Sequence, residues 1–221
     1  MNKEEILKSL KQLRTTSPKR KFKQSIDLVI NLKGIDLKKP DQRIDNFLVL
    51  NHSKGKPVKT CIFLDKQLEA KAKGKFNTII TKEDFPKWTD KTKLKKLAKS
   101  HDFFIAQAIL MSLVASTFGK TLGALGKMPN PKAGCVVPPE ANLDPLAARL
   151  QKTVRVITKN ETIIKDQVGI EDMPDEEIAD NILTIYNYLM HTLSQKDANI
   201  KNIFIKFSMS PPVFIVGGKK Q

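Results

Sequence analysis

The residue types that most often carry out chemistry, histidine and cysteine, are few and widely separated in this sequence. The two cysteines, Cys61 and Cys135, have no pair spacing, which argues against a disulfide framework and against a structural zinc site. Such cysteine usage is typical of a protein in a reducing compartment. His52, His101 and His191 are far apart and have no metal-ligand spacing. We therefore predict no metal site, and we interpret His101, which precedes an apolar run, as a cap or turn residue.

Two further patterns that enzymes use are incomplete. Gly119, Gly123 and Gly126 are spaced somewhat like a phosphate-binding loop, but the Gly-Lys-Ser/Thr ending is missing. No serine is surrounded by the glycines of a nucleophile elbow. The acidic run 175–177 is interpreted as charge in the first turn of a helix and not as a metal site. We predict no catalytic residue and no cofactor, and an enzyme acting on a nucleotide or an acidic substrate remains the alternative.

Charge is the strongest chemical signal in the sequence. The 221 residues contain 39 Lys+Arg and 23 Asp+Glu, a formal net charge of +16. Residues 1–60 hold 15 basic and 6 acidic side chains, residues 61–153 hold 16 and 8, and the remainder is close to neutral. The densest basic clusters lie at 19–23 and 91–99. The excess predicts a polyanionic partner, which is a nucleic acid or an acidic surface.

The hydrophobic pattern indicates alternating elements in the first two thirds of the chain. An amphipathic helix is predicted over 3–14, and half-buried strands are predicted over 25–33 and 46–50. Three short apolar runs follow from Cys61 onward, and each precedes a segment with helical character. These segments are 65–73, 82–100 and 107–118. Residues 119–139, rich in Gly and Pro, are predicted to form a loop, and Asn142 is predicted to cap a helix that ends near Gln151.

The last third returns to strands and completes the predicted fold. Strands are predicted at 154–158 and 161–169, a helix from about 175 to 193, and a last strand from Asn202 until Pro211 and Pro212 disrupt it. Strands at both chain ends therefore flank an α/β segment. We predict two domains. The first is a split α+β domain made of residues 1–60 and 154–221, and the second is an inserted Rossmann-like parallel α/β domain at 61–153.

The sequence contains no segment with the character of a signal peptide or a membrane span. Charges are spread through the first 16 residues, unlike a secretory signal. The longest apolar stretch, 103–118, is interrupted by polar residues and is shorter than the roughly 20 apolar residues that a spanning helix needs. We expect a soluble, cytoplasmic protein with no membrane partner.

Four stretches of the sequence are typical of one family. They are FKQSIDLVINLKGIDLKKPDQRI at 22–44, HDFFIAQA at 101–108, GKMPNPKAG at 126–134 and FIKFSMSPP at 204–212. In this order they resemble the ribosomal protein L1 family of the large subunit, in its archaeal form, over nearly the whole chain. The resemblance implies the same two-domain fold, with domain I formed by both chain ends and a Rossmann-like domain II inserted between them.

The resemblance also implies a function and a set of partners. Members of the family bind the ribosomal RNA of the mobile stalk, beside the exit of deacylated transfer RNA. Many also repress translation by binding a similar structure in their own messenger RNA. For this chain we expect large-subunit ribosomal RNA, exit-site transfer RNA and its own messenger RNA as partners. We expect a monomer when the protein is free.

The family's RNA-contacting surface lies mainly on domain I, on the first and last strands. Structured RNA is recognised largely through shape, 2′-hydroxyls and phosphates, which small polar side chains and a lysine can contact. Met209 and Phe22 are expected to press apolar surface onto a sugar or base, although Phe22 is equally compatible with a place in the core. By resemblance, the predicted RNA-binding residues are Lys21, Phe22, Gln24, Ser25, Asp27, Asn202, Ser208, Met209, Ser210 and Pro211.

Two positions depart from the family pattern. Ser210 stands where the family usually has a glycine, which would permit a positive φ or a close approach of RNA to the backbone. With a negative φ, the serine hydroxyl is free to contact a phosphate; with RNA packed on the Cα, affinity falls. The family pattern Gly-Pro-Arg-Gly is replaced by Gly-Ala-Leu-Gly at 123–126, without the arginine, which weakens the case for an RNA contact there.

Overall fold

The computed structural model describes residues 1–39, 42–158 and 161–216, which divide into two compact units. Unit 1 is formed by Met1–Lys56 and by the chain from Lys152 onward, and unit 2 is formed by Pro57–Gln151. Residues 217–221, the end of the predicted split domain, lie outside the described residues.

The elements follow one another along the chain with short connections. The helices are α1 (Lys3–Thr16), α2 (Lys66–Ala72), α3 (Lys91–Ser100), α4 (Met111–Ala124), α5 (Leu143–Gln151) and α6 (Asp175–Thr192). The strands are β1 (Ser25–Leu32), β2 (Asp45–Val49), β3 (Thr60–Leu64), β4 (Thr78–Thr81), β5 (Phe103–Gln107), β6 (Val136–Val137), β7 (Thr153–Ile157), β8 (Ile163–Ile170), β9 (Ile200–Phe207) and β10 (Val213–Val216). Short 3-10 helices lie at Lys82–Lys87, Ala108–Leu110, Pro131–Ala133 and Lys196–Asn199.

Unit 1 is built on a four-stranded antiparallel sheet in the order β10-β9-β1-β8. Buried and partly exposed side chains largely alternate along β1 and β9, as expected when one face of a sheet is covered. Helices α1 and α6 contact each other and the sheet. The core of unit 1 includes Ile6, Leu10, Leu13, Ile26, Leu28, Ile30, Ile178, Ile182, Ile185, Ile203, Ile205 and Phe207.

One arginine fixes the entry of α6 against α1. The Nε atom of Arg14 donates to Oδ1 of Asp175, the first residue of α6, at 2.8 Å. Its Nη atoms donate to the carbonyls of Glu171 and Met173 at 2.6 and 2.9 Å. Acidic residues 175–177 form the first turn of α6, where the helix dipole favours negative charge, so the predicted reading of this run is confirmed.

Unit 2 is built on a parallel sheet in the order β4-β3-β5-β6. Strand β3 is buried at every position, which is typical of a strand with both faces covered. The rings of Phe63, Phe85, Phe104 and Phe118 pack with centroids 4.7 to 6.0 Å apart and form the centre of this core. The predicted fold class, an α+β part together with a Rossmann-like parallel α/β part, is confirmed.

The helix predicted over 82–100 is wrong in its first half. Residues Lys82–Lys87 form a 3-10 helix, and α3 begins only at Lys91. Asp90 starts the new helix because its side chain accepts a hydrogen bond from Thr92 N at 2.8 Å. Pro86 lies inside the 3-10 segment and has no N–H to continue an α-helical ladder.

The loop predicted over 119–139 is also wrong at its start, because α4 continues to Ala124. Val114, Phe118 and Leu122 recur at four-residue spacing and are all buried, so packing outweighs the low helix propensity of the intervening glycines. Gly119 and Gly123 thus lie in a helix and not in a phosphate-binding loop. The predicted capping of α5 is confirmed, since Asp144 N donates to Asn142 Oδ1 at 3.1 Å.

Candidate nucleic-acid interface

The segment that precedes β1 and the segment that follows β9 meet at one end of the antiparallel sheet of unit 1. The register pairs Ile26 with Phe207, so the residues before β1 and after β9 emerge side by side. Ser208 N donates to the carbonyl of Ser25 at 3.2 Å, and the two serine hydroxyls are 2.9 Å apart. Residues that are far apart in sequence therefore form one continuous surface.

Gln24 is a buried residue that stabilises the segment after β9. Its side chain is buried, with 2 % relative exposure, and its Oε1 accepts a hydrogen bond from Met209 N at 3.3 Å. The Gln24 backbone is paired in both directions with Glu171, once through the Glu171 side chain and once through its N–H. Gln24 thus positions Met209. The sequence does not predict a role for Glu171, because only the hydrogen bonds between Glu171 and Gln24 in the folded protein reveal it.

Phe22 and Met209 carry exposed apolar surface at this end of the sheet. Their relative exposures are 54 % and 61 %, so neither is a core residue. Phe22 lies two residues from Gln24, at most about 7 Å along the chain, and Gln24 binds the backbone of Met209. Exposed large apolar side chains placed together mark an interaction site more often than single scattered ones.

A basic segment flanks these apolar residues. Lys19, Arg20 and Lys21 are exposed, and no ion pair to an acidic side chain is found for them within the part of the chain that the structure describes. Lys23, in contrast, is paired with Asp172, which raises the pKa of the lysine. We refer to Lys21, Phe22, Ser25, Ser208 and Met209 as the junction surface.

The turn after β9 is stabilised by Ser210 itself. Its hydroxyl accepts a hydrogen bond from Phe207 N at 2.9 Å and donates to the carbonyl of Pro211 at 3.0 Å. Among the described non-glycine residues only Lys196 has a positive φ, so Ser210 needs no glycine-like backbone. The serine that replaces the family's glycine therefore holds the turn together, and its hydroxyl is engaged within the protein. Pro211 is exposed at the end of this turn.

Asn202 lies away from the junction surface. It stands six residues before Ser208 on an extended strand, which corresponds to about 20 Å, and it pairs with Asn31 in the register of β1 and β9. The Asn31 amide donates to Asn202 Oδ1 at 2.6 Å, while Asn31 Oδ1 is buried without a partner in the structure. Nine of the ten predicted residues thus lie where β1 begins and β9 ends, and Asn202 lies near the opposite end of β9.

Asp27 connects the serine pair to the exposed face of the sheet. It is paired with Lys206 in the strand register. Burial raises the pKa of the Asp27 carboxyl, while the charge of Lys206 and a hydrogen bond from Ser25 act in the opposite direction. In the hydrogen bond between the two serine hydroxyls either oxygen can be the donor, so Ser208 Oγ is able both to donate and to accept.

A cavity of about 470 Å³ opens on the same face of the sheet. Asp27, Lys165, Asp166 and Lys206 contribute charged groups to its lining. Burial raises the pKa of Asp166 to about 7, opposed by the charge of Lys54, and Asp166 Oδ2 is buried without a hydrogen-bond partner. Perturbed carboxyls in a cavity are also found at enzyme active sites.

The cysteines and His101 have structural surroundings. Burial raises the pKa of both thiols, that of Cys135 to about 11, which disfavours the reactive thiolate. His101 is the C-cap of α3, in agreement with its predicted place at a cap or turn. Its ring Nε2 forms a hydrogen bond with Thr78 Oγ1 at 2.8 Å. Within residues 1–39, 42–158 and 161–216, no group of three or more His, Cys, Asp or Glu side chains is placed to hold a metal ion. The same residues include no helix that is long and apolar enough to span a bilayer.

Comparison with known proteins agrees with the resemblance seen in the sequence. The model of the family described as "Ribosomal protein L1p/L10e family" matches residues 10–211. A large ribosomal subunit protein uL1 of Methanothermococcus thermolithotrophicus is 40 % identical over 216 residues, covering 97 % of this chain and 99 % of that protein. The protein of the same name from Pyrococcus abyssi is 36 % identical over 218 residues, with 98 % and 97 % covered.

These matches extend over both units and include each of the four sequence stretches that carried the resemblance, apart from the last residue of the fourth. The enzyme alternative is therefore wrong, because the matched family consists of ribosomal proteins. The chain belongs to the ribosomal protein L1p/L10e family.

Proposed function

We propose that the chain is a constituent of the large ribosomal subunit, where its junction surface binds the ribosomal RNA of the mobile stalk near the exit of transfer RNA. One observation carries the proposal. The segments before β1 and after β9 present Phe22 and Met209 as exposed apolar groups, with the Met209 backbone held by Gln24. Beside them lie the exposed Lys19, Arg20 and Lys21, for which no acidic partner is found in the part of the chain that the structure describes. Such a surface suits a folded polyanion that also offers apolar sugar and base faces.

The proposed contacts follow from the chemistry of each group. Lys21 neutralises a backbone phosphate, and Phe22 and Met209 cover a sugar or an unstacked base. Ser208 Oγ, which lies 2.9 Å from Ser25 Oγ, exchanges a hydrogen bond with a ribose 2′-hydroxyl. Because DNA lacks this hydroxyl, the same contact distinguishes RNA from DNA.

Further roles of the protein are inferred from its family. By binding the stalk, the protein helps to release deacylated transfer RNA from the exit site. By binding a similar structure in its own messenger RNA with the same surface, it represses its own translation. The protein acts in the cytoplasm and is a monomer when free of the ribosome.

The direct test replaces Met209 with a charged residue. We expect Met209→Asp to weaken binding to a stalk ribosomal RNA fragment by about tenfold or more. The substitution removes the apolar contact of the methionine side chain, and the new carboxylate repels the RNA phosphates. The melting temperature should stay nearly unchanged, since Met209 is mostly exposed. Binding is measured by filter retention or fluorescence anisotropy, and folding by thermal unfolding of the same samples.

Ile109→Asp is the matched control for this experiment. Ile109 belongs to unit 2, is 72 % exposed, and receives the same change in charge and polarity. We expect its affinity for the stalk fragment to remain within about twofold of the native value. Equal losses in the two variants, or native affinity for Met209→Asp, would contradict the proposed binding surface.

A further inference from the structure

The second basic cluster of the sequence lies on one helix of unit 2, whereas the junction surface belongs to unit 1. Helix α3 contains five lysines in ten residues, and all five are exposed. Lys91, Lys95 and Lys99 recur every four residues, so they follow one another along one face at intervals of about 6 Å. The opposite face of α3 packs into the core through Leu94, Leu97 and Ala98.

This charge arrangement is unfavourable for the helix itself. Like charges four residues apart destabilise a helix, and lysines in a first turn oppose the helix dipole. Lys91 and Lys93 occupy the first turn of α3, which contains no acidic residue. No ion pair to an acidic side chain is found for any of the five lysines among the described residues. Apart from the N-cap residue Asp90, the described part of α3 has no acidic side chain at its start to reduce this repulsion.

A groove between α3 and α4 gathers these charges. Its volume is about 470 Å³, and it is lined by Lys91, Lys95 and Lys99 of α3 and by Lys120 of α4. Thr121, Ala124 and Leu125 complete the lining. Four ammonium groups around a floor of small and apolar side chains form a concave, positively charged surface that no aromatic ring obstructs.

We propose that this lysine groove binds the phosphate backbone of RNA, as a second contact surface that is independent of sequence. The groove offers several point charges and no aromatic side chain, which suits phosphates and not stacked bases. RNA is favoured over an acidic protein because the chain belongs to a ribosomal protein family, whose members work beside RNA. The inference goes beyond the proposed function, which involves unit 1 alone.

The test removes charge from the groove without changing its size much. The variant combines Lys95→Gln, Lys99→Gln and Lys120→Gln, and the probe is an RNA duplex of arbitrary sequence, about 20 base pairs long. We expect affinity to fall about tenfold or more. The negative slope of log affinity against log salt should become shallower by about 3, because each lost phosphate contact removes about 0.9 from its magnitude. The melting temperature should stay equal or rise, because repulsion on α3 is relieved.

A control variant removes the same charge elsewhere in unit 2. Lys71→Gln, Lys82→Gln and Lys132→Gln change three exposed lysines outside the groove. We expect this control to lose less than about threefold in affinity. Equal losses in the two triple variants would overturn the groove as a site, because only overall charge would then matter. Native affinity of the groove variant would overturn it directly.

Two further arms separate the groove from its rivals. Polyglutamate that displaces the duplex from the native protein more effectively than unlabelled RNA of equal charge would overturn RNA as the partner. Met209→Asp should bind the arbitrary duplex as the native protein does and lose affinity only for the stalk fragment. Failure of the groove and failure of the junction surface therefore give different results.

Discussion

Single residues at the junction surface face outward, whereas residues directly beside it hold them in place. Phe22 and Met209 are exposed, whereas Gln24 and Ser210 direct their polar atoms to backbone groups of the protein. The sequence predicts that these residues lie at the RNA-binding surface. It does not predict which side chains are exposed and which bind the protein's own backbone. Whether an amide or hydroxyl serves RNA or its own backbone depends on which groups the two chain ends bring together.

Asp166 gives a prediction at the same scale. Burial raises the pKa of its carboxyl from 3.8 to about 7. The folded protein therefore holds a proton that the unfolded chain releases between these values, and stability falls as the pH rises from about 4 to 7. We expect Asp166→Asn to unfold at higher denaturant concentration than the native protein at pH 8, with an upper limit of about 4 kcal/mol since each pKa unit is worth about 1.4 kcal/mol.

The measurement compares urea unfolding of both proteins between pH 3.5 and pH 8 (a range that brackets both pKa values). The advantage of Asp166→Asn should be near zero at the acid end and should grow as the pH rises. A difference that is constant with pH would show that the Asp166 carboxyl does not titrate within this range.

Helix α4 gives a prediction at the scale of elements. A Cβ at Gly119 would meet no atom within 4 Å, and the φ of this residue is not positive. Glycine in a helix interior costs about 0.5–1 kcal/mol relative to alanine. We expect Gly119→Ala to stabilise the protein by that amount, measured by urea unfolding.

Gly134 supplies the opposite case for comparison. Its φ is +74°, which L-residues rarely adopt. Gly134→Ala should therefore destabilise the protein by about 1 kcal/mol or more. If Gly119→Ala were the destabilising variant of the two, α4 would not run through residue 119 as described.

The elements also show how far periodicity predicts structure. Helices α1 and α6 and strands β1, β8 and β9 follow directly from the spacing of their apolar residues. At residue 119 the glycine content predicts a loop, but burial of Phe118 and Leu122 keeps the chain helical to Ala124. Strand β10 was not predicted, because its four residues follow two prolines and gain their structure by pairing with β9.

At the scale of the whole molecule, both units carry positive charge but display it differently. Unit 1 combines a basic segment with exposed apolar side chains, whereas the groove of unit 2 is lined mainly by lysines. The charge count along the sequence predicted basic surfaces in both parts of the chain. It did not predict the groove, because Lys120 joins the lysines of α3 only through the packing of α4.

Chemical footprinting on total ribosomal RNA is the most direct test of the central claim, that both chain ends form one surface for stalk RNA. We predict that the native protein and Ile109→Asp protect nucleotides of the stalk region. Met209→Asp should give no such protection at the same protein concentration. Protection spread evenly over the ribosomal RNA, or stalk protection by Met209→Asp equal to that by the native protein, would contradict the account.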